Sequence, residues 1–181
     1  YHQDLPELGS RKIAFSKHIY IENEDFLEEK PDKKYKRLSL GNEVRLFHTY
    51  FIKANEVVKD STGKVIEVLA TYDVATLSGS GFNERKPDGT IHFVEASTAI
   101  PATFNFFGPM LKDDTSLELK ERFNKDSMTI KKGYIEQALL DTPNEEKYQF
   151  IRNGFFNCFY DKKTNNHYIF NEIVPLKRSY K

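Results

Sequence analysis

The sequence predicts a mostly-β fold of short strands, with barrels or a sandwich favoured over a parallel α/β sheet. Aromatic residues make up 14% of the 181 residues, as 15 Phe and 10 Tyr with no Trp. Aromatic side chains fit the half-buried surface of a sheet. Short segments of alternating polarity are separated by turn signals at close intervals, which is typical of barrels and sandwiches.

The predicted elements are mainly strands, joined by turns. Alternation of polar and apolar side chains, or a short apolar run between turn signals, marks each strand. The predicted strands are 12–21, 38–58, 65–72, 90–95, 102–107, 128–134, 148–152, 154–160 and 168–176. The turn signal Asp60-Ser61-Thr62-Gly63 joins two of these segments, so residues 48–72 are predicted to form a β-hairpin.

Helices and long loops are few in this prediction. Residues 117–123 follow the candidate caps Asp114, Thr115 and Ser116 and form the best predicted helix. The acidic segment 22–29 is predicted to form one short helical turn. Polar residues and glycines over 76–89 predict a long mobile loop, and 161–166 is predicted to close the last hairpin.

Charge and cysteine content exclude several classes of protein. The formal net charge is zero, from 27 basic and 27 acidic side chains, so a polyanion would have to be recognised by local charge clusters. A single cysteine, Cys158, excludes an internal disulfide and a cysteine-built zinc site. It lies in an apolar run, which indicates a buried side chain in a reducing, cytoplasmic compartment. Without a run of about 18 apolar residues, no membrane span is expected.

Several short segments, taken in order, carry a family resemblance. They are Glu7-Leu8-Gly9-Ser10-Arg11, Lys34-Tyr35-Lys36-Arg37-Leu38, Gly41-Asn42-Glu43-Val44-Arg45-Leu46, Gly89-Thr90-Ile91-His92-Phe93-Val94 and Tyr148-Gln149-Phe150-Ile151-Arg152-Asn153-Gly154-Phe155-Phe156. This set resembles the C-terminal anticodon-binding region of class I glutaminyl-tRNA synthetases over nearly the whole chain. The resemblance implies two six-stranded β-barrels that share swapped N-terminal strands, with 11–100 in the first and 101–181 in the second.

The resemblance also implies an upstream catalytic domain of the same protein that binds ATP and Mg²⁺. The chain has neither an H-x-G-H nor an M-S-K signature, the motifs that bind ATP in this class. We therefore expect no catalytic residue, no cofactor and no metal in this chain. The non-Met start agrees with an excised part of a longer protein.

The first candidate site is the run Lys33-Lys34-Tyr35-Lys36-Arg37. Single-stranded RNA is read by cations for phosphates, flat groups for stacking and fixed donors for base edges. From the residues alone, an ordinary solvated basic turn is equally plausible. The resemblance places Lys34, Lys36 and Arg37 at the anticodon loop, with Arg37 as the donor for the last base and Lys36 as a phosphate contact; Lys33 is a weaker member.

The second candidate site is Gln149 with Arg152. Strand alternation predicts that Gln149 shares a face with Ile151, and Phe150 with Arg152. The resemblance places the Gln and the Arg around the middle anticodon base, a uracil. An amide offers one donor and one acceptor, as a uracil edge does. Ile151 replaces the Glu that is usual in the family.

The third candidate site is Arg45 with Phe47, near the first anticodon base. The family usually has a second Arg where this chain has Phe47, a residue that stacks but reads no base edge. We therefore expect weaker readout of the first, wobble base. Asp4 replaces an Asn of the family that touches an anticodon base, and is a weak candidate.

These sites predict a protein that binds the anticodon loop of glutamine tRNA. The alternatives are the matching domain of an archaeal- or eukaryotic-type glutamyl-tRNA synthetase, or a structural rRNA-binding β-barrel protein. An acid–base pair of Asp73 and His92 is less favoured than a structural strand histidine. The spacing of His18, His48 and His92 does not suit a zinc site.

Overall fold

The computed structural model describes residues 7, 9–140, 142–161 and 167–176, and it is built from short strands. The strands are β1 (Ile19–Ile21), β2 (Phe26–Leu27), β3 (Leu38–Ser39), β4 (Glu43–Leu46), β5 (Phe51–Lys59), β6 (Val65–Asp73), β7 (Thr90–Ile91), β8 (Phe93–Glu95), β9 (Ile100–Phe107), β10 (Met128–Ile135), β11 (Lys147–Phe150), β12 (Gly154–Asp161) and β13 (His167–Pro175). Three-residue 3₁₀ turns lie at Asn23–Asp25, Val74–Thr76 and Gln137–Leu139. The predicted mostly-β class is confirmed.

The chain divides into two compact units. One is Ser16–Val94; the other joins Tyr1–Phe15 to Glu95–Lys181. The sequence placed the division near residue 100. In the second unit, the guanidinium of Arg11 donates to both carboxylate oxygens of Glu136 at 2.6 and 3.0 Å, which links Arg11 to the end of β10. The two-barrel arrangement stays a prediction.

The unit Ser16–Val94 is built on a four-stranded sheet with the order β6-β5-β4-β7. Its longest pair, β5 and β6, is the predicted hairpin. The Asp60 carboxylate accepts hydrogen bonds from the backbone N–H groups of Thr62 and Lys64 at 2.8 and 3.1 Å. Gly63 takes a φ of 84°, which glycine adopts without steric cost. The turn chemistry visible in the sequence therefore sets the register.

The loop 76–89 is anchored to this sheet at several points. Thr76 is fully buried, and its hydroxyl accepts a hydrogen bond from the Phe51 N–H at 2.8 Å. Arg85 donates to both carboxylate oxygens of Glu43 and to Asp73, at 2.7–2.8 Å. The predicted loop is confirmed. Its mobility stays a prediction, although these contacts argue against it.

The unit that contains Glu95–Lys181 is built on a five-stranded sheet with the order β10-β9-β13-β12-β11. Its core is aromatic. Phe156 and Phe170 are at most 1% exposed, and the ring of Phe150 lies 5.3 and 5.0 Å from theirs. Cys158 is fully buried beside them, as its apolar surroundings predicted.

The predicted helix at 117–123 is wrong. The segment forms turns, in which the Glu118 carbonyl accepts from the N–H groups of both Glu121 and Arg122. A bridge between Leu111 and Phe123 ends the segment. A helix of seven residues has too few internal hydrogen bonds to stabilise itself.

Two other predicted elements are shorter than the sequence suggested. Of the strand predicted at 12–21, only Ile19–Ile21 is a strand. The region 38–58 is divided into three strands by turns, which include Gly41 at φ 79° and His48 at φ 61°. A positive φ is uncommon outside glycine, so the sequence does not predict the turn at His48. The predicted loop at 161–166 lies almost wholly outside the described residues.

Candidate nucleic-acid interface

The residues 30–37, here called the basic segment, present cations to solvent. Lys33, Lys34 and Lys36 are exposed. The backbone beneath them is ordered, because the Lys34 N–H donates to the Asp32 carboxylate at 2.7 Å. A depression of 440 Å³ is lined by Lys30, Asp32 and Lys33. Exposed ammonium groups on an ordered turn can contact phosphates.

Arg37, at the end of the basic segment, is held in place. Its Nη1 donates to the Glu24 carbonyl at 2.6 Å, and its Nε lies 3.5 Å from the fully buried carboxylate of Asp25. The Arg37 side chain is still 39% exposed. A guanidinium that is fixed on one side and open on the other presents the planar fork that suits guanine acceptors.

Tyr35 anchors the centre of the basic segment. Its hydroxyl donates to the Leu38 carbonyl at 3.3 Å, and the side chain is half-buried. Burial raises the pKa of the Tyr35 phenol, and the nearby Arg37 charge opposes that shift. The Tyr35 side chain therefore links the basic segment to the start of β3.

Arg45 on β4 is predicted to contact the first anticodon base, but its guanidinium lies against other parts of the protein. Its Nη1 donates to the carbonyls of Thr49 and Thr76, both at 2.9 Å. Its Cζ lies 4.2 Å from the centroid of the Phe51 ring. Burial lowers the pKa of Arg45 below its usual range. Arg45 thus ties the turn after β4 to the start of the loop 76–89, and its contact with a base stays a prediction.

Phe47 follows β4 and forms an aromatic group with two histidines. Its ring centroid lies 4.1 Å from that of the exposed His48 and 6.1 Å from that of His92. Phe47 is half-buried. In the sequence, His48 is a candidate only for metal binding, and its spacing from the other histidines does not suit zinc. Within the described ranges, no group of His, Cys, Asp and Glu is arranged to hold a metal ion.

Gln149 and Arg152 lie on either side of the point where β11 ends. Gln149 is exposed on β11, opposite the exposed Phe155 of β12. The strand ends at Phe150, and a turn closed by the Asn153 N–H and the Phe150 carbonyl at 2.9 Å follows. Arg152 is exposed in this turn with a φ of 73°.

The strand predicted to reach Arg152 is therefore wrong, and so is the predicted pairing of faces. Phe150 packs into the aromatic core, whereas Arg152 faces solvent as Gln149 does. The cause is the turn, because strand alternation stops where φ becomes positive.

The candidate residues fall into two sets. Lys33, Lys34, Lys36, Arg37, Arg45 and Phe47 belong to the unit Ser16–Val94, whereas Gln149 and Arg152 belong to the unit that contains Glu95–Lys181. Asp4 lies outside the described residues. Asp73 is not arranged as a catalytic acid, because the hydrogen bond from Arg85 lowers the pKa of its carboxyl.

The comparisons with known proteins identify the family. Two sequence models described as the anti-codon binding domain of class I tRNA synthetases (E and Q) match residues 1–73 and 90–159. The chain belongs to this family of anticodon-binding domains. A scaffold of strands with exposed, anchored cations agrees with tRNA binding. No helix in the described part of the chain is long and apolar enough to cross a membrane.

Similar curated proteins include glutamine–tRNA ligases from several bacteria. The protein from Clostridium perfringens is 46% identical over 177 residues, which is 96% of this chain and 32% of the relative. That from Clostridioides difficile is 45% identical over 178 residues, with coverage of 96% and 32%. That from Haemophilus influenzae is 39% identical, with coverage of 99% and 32%. The chain spans about a third of the length of these relatives.

Proposed function

We propose that this chain is the anticodon-recognising part of a glutamine–tRNA ligase and that it binds the anticodon loop of glutamine tRNA. The observation that carries the proposal is the basic segment, in which exposed lysines stand beside Arg37, a guanidinium fixed by Glu24 and Asp25. The glutamine specificity is supported by relatives of that name over 96% of the chain.

Each set of residues has a distinct role in this proposal. In the basic segment, Lys34 and Lys36 contact phosphates and Arg37 donates to the last anticodon base. Across β11 and its turn, the Gln149 amide pairs with the edge of the middle uracil, while Arg152 adds a charged contact. Bases splayed into separate contacts are the usual mode of single-stranded RNA readout.

The first anticodon base is read weakly in this proposal. One Nη atom of Arg45 is committed to two backbone carbonyls, so Arg45 mainly shapes the turn that carries Phe47. Phe47 then stacks on the base, and stacking is tolerant of sequence. Changes of the first base should cost less affinity than changes of the middle base. Comparable losses for the two positions would contradict this assignment.

In the whole protein, anticodon contacts would position the tRNA acceptor end for aminoacylation. The catalytic domain would use glutamine, ATP and Mg²⁺ in the cytoplasm, and this chain alone would neither activate glutamine nor charge tRNA. A glutamyl-tRNA synthetase is the nearest other candidate. Amino-acid-dependent ATP–pyrophosphate exchange by the full-length protein, with glutamine or with glutamate and tRNA present, distinguishes the two.

The direct test is binding of the 181-residue chain to a glutamine tRNA transcript and to a transcript with the middle uracil changed. The changed transcript should lose about 1–3 kcal/mol, the usual effect of one lost base contact. Both affinities should fall as salt is raised. Equal affinity for the two transcripts would show that the chain contacts RNA phosphates without distinguishing the bases.

A further inference from the structure

Gly89 makes a backbone contact with the basic segment that no other residue type allows. A Cβ placed on Gly89 would lie 1.8 Å from the carbonyl oxygen of Lys36 and 2.6 Å from its carbonyl carbon. Real Cβ atoms essentially never approach a heavy atom of a residue that is not a chain neighbour within 3.0 Å. The φ of Gly89 lies outside the left-handed region. The glycine is therefore required by the close approach of two backbones and not by its own conformation.

Gly89 is itself fixed to the sheet. Its carbonyl accepts a hydrogen bond from the Arg45 N–H at 2.9 Å, and the preceding Asp88 N–H donates to the Glu43 carbonyl at 2.9 Å. Asp88 also forms an ion pair with Lys30, at the start of the basic segment, at 3.1 Å. The Lys36 backbone thus packs against a chain segment that is hydrogen-bonded to β4.

Asn42 holds the other end of the basic segment. Its Nδ2 donates to the Arg37 carbonyl at 3.0 Å, while its Oδ1 accepts from the Ser39 N–H at 2.7 Å. Gly89 thus contacts the main chain of Lys36, and the Asn42 side chain contacts the main chain of the next residue, Arg37. The Lys36 side chain is exposed to solvent, and the Arg37 side chain is partly exposed.

We infer that Gly89 and Asn42 are positioning residues for recognition of the last anticodon base. They fix the backbone that carries Lys36 and Arg37, so the entropy of ordering this segment is lost on folding and not on RNA binding. Such pre-organisation raises affinity without a new contact to the ligand. The inference rests on the proposed function, because it assigns a role only if the basic segment contacts tRNA.

The test compares Gly89→Ala with Gly108→Ala in the 181-residue chain. Gly108 is the matched control, since a Cβ placed on it would lie 3.7 Å from the Ser127 carbonyl oxygen, an ordinary van der Waals contact, and its φ is not left-handed. The probes are transcripts of glutamine tRNA, unchanged or with the last or the middle anticodon base changed. Far-ultraviolet circular dichroism confirms that each variant is folded.

Gly89→Ala should bind the unchanged transcript about tenfold more weakly, the effect of losing one charge-assisted contact. Its discrimination at the last base should fall, whereas discrimination at the middle base should stay. The slope of log affinity against log salt should become shallower by about 0.7, the value for one lost phosphate contact on a single strand. Gly108→Ala should match the wild type in all three measurements.

Asn42→Ala gives an independent test, because it removes both hydrogen bonds of the Asn42 side chain, to the Arg37 carbonyl and from the Ser39 N–H, and introduces no clash. It should also reduce last-base discrimination selectively. A folded Gly89→Ala or Asn42→Ala that keeps wild-type last-base discrimination overturns the inference, and so does equal loss at the last and middle bases. If the wild-type chain itself fails to bind glutamine tRNA, the proposed function has failed instead.

Discussion

Arg152 allows a test in which stability and RNA binding respond differently to the same substitutions. Its φ of 73° places a residue with a Cβ in the left-handed region. That conformation costs such a residue roughly 1–2 kcal/mol, and strain of this kind is often retained at functional sites. Gly is free of this cost, whereas Ala keeps it.

The expected magnitude follows from comparing Arg152→Gly with Arg152→Ala. Both variants lose the guanidinium and its contacts, so their difference isolates the backbone. Gly removes roughly 1–2 kcal/mol of strain but loses roughly 0.4–1 kcal/mol through the greater freedom of its unfolded chain. The Gly variant should therefore be more stable than the Ala variant by about 0.8 kcal/mol, between bounds of roughly 0 and 1.6 kcal/mol.

The assay is urea unfolding followed by Tyr fluorescence, which suits a chain with 10 Tyr and no Trp. Lys147, exposed on β11, is the matched control. There the Gly variant should be less stable than the Ala variant by roughly 0.5–1 kcal/mol, the opposite sign. Both Arg152 variants should bind glutamine tRNA equally weakly. An Ala variant at least as stable as the Gly variant would refute the left-handed turn, and full binding by the Gly variant would refute the RNA contact.

Three further predictions follow from single contacts. Phe156→Ala should lower the free energy of unfolding by about 3–5 kcal/mol, since this side chain is 1% exposed among aromatic rings; a loss below 1 kcal/mol in urea unfolding would contradict the packing. The Arg85 hydrogen bond lowers the pKa of Asp73. The stability that this contact gives to the fold is present above the ordinary carboxyl pKa and is lost as the pH falls through the lower, folded-state pKa of Asp73. Arg85→Gln should therefore show a flatter loss of stability below about pH 4 than the wild type, and identical acid titrations would exclude this linkage. Burial raises the pKa of the Cys158 thiol, so a thiol reagent should label native protein slowly and urea-unfolded protein quickly; equally fast labelling would show that the thiol is accessible.

Local chemistry explains which parts of the fold could be predicted from the sequence. The hairpin of β5 and β6 was predictable because Asp60 and Gly63 specify its turn within a few residues. The strand at 154–160 was predictable because its apolar side chains are short-range signals of a buried strand, and the observed β12 is Gly154–Asp161. The helix at 117–123 failed because the capping signal at Asp114 is real but stabilises a turn.

The candidate sites were predictable in residue type and less so in geometry. The exposure of Lys34, Lys36 and Gln149 agrees with the expected binding roles. The enclosure of Arg45 depends on carbonyls of Thr49 and Thr76, and the second of these is 31 positions away. The turn at Arg152 lacks the glycine that usually indicates a positive φ. Long-range contacts and unmarked backbone conformations therefore limit what the sequence predicts.

The central claim is that separate residues read separate anticodon bases. It is tested most directly by measuring the affinities of the wild-type chain, Arg37→Ala and Gln149→Ala for three transcripts of glutamine tRNA. One transcript is unchanged, one has the last anticodon base changed, and one has the middle anticodon base changed. Arg37→Ala should lose discrimination only at the last base, and Gln149→Ala only at the middle base, each by about 1–3 kcal/mol. Equal losses by both variants on all transcripts would contradict the account, because the two residues would then contribute only general attraction to RNA.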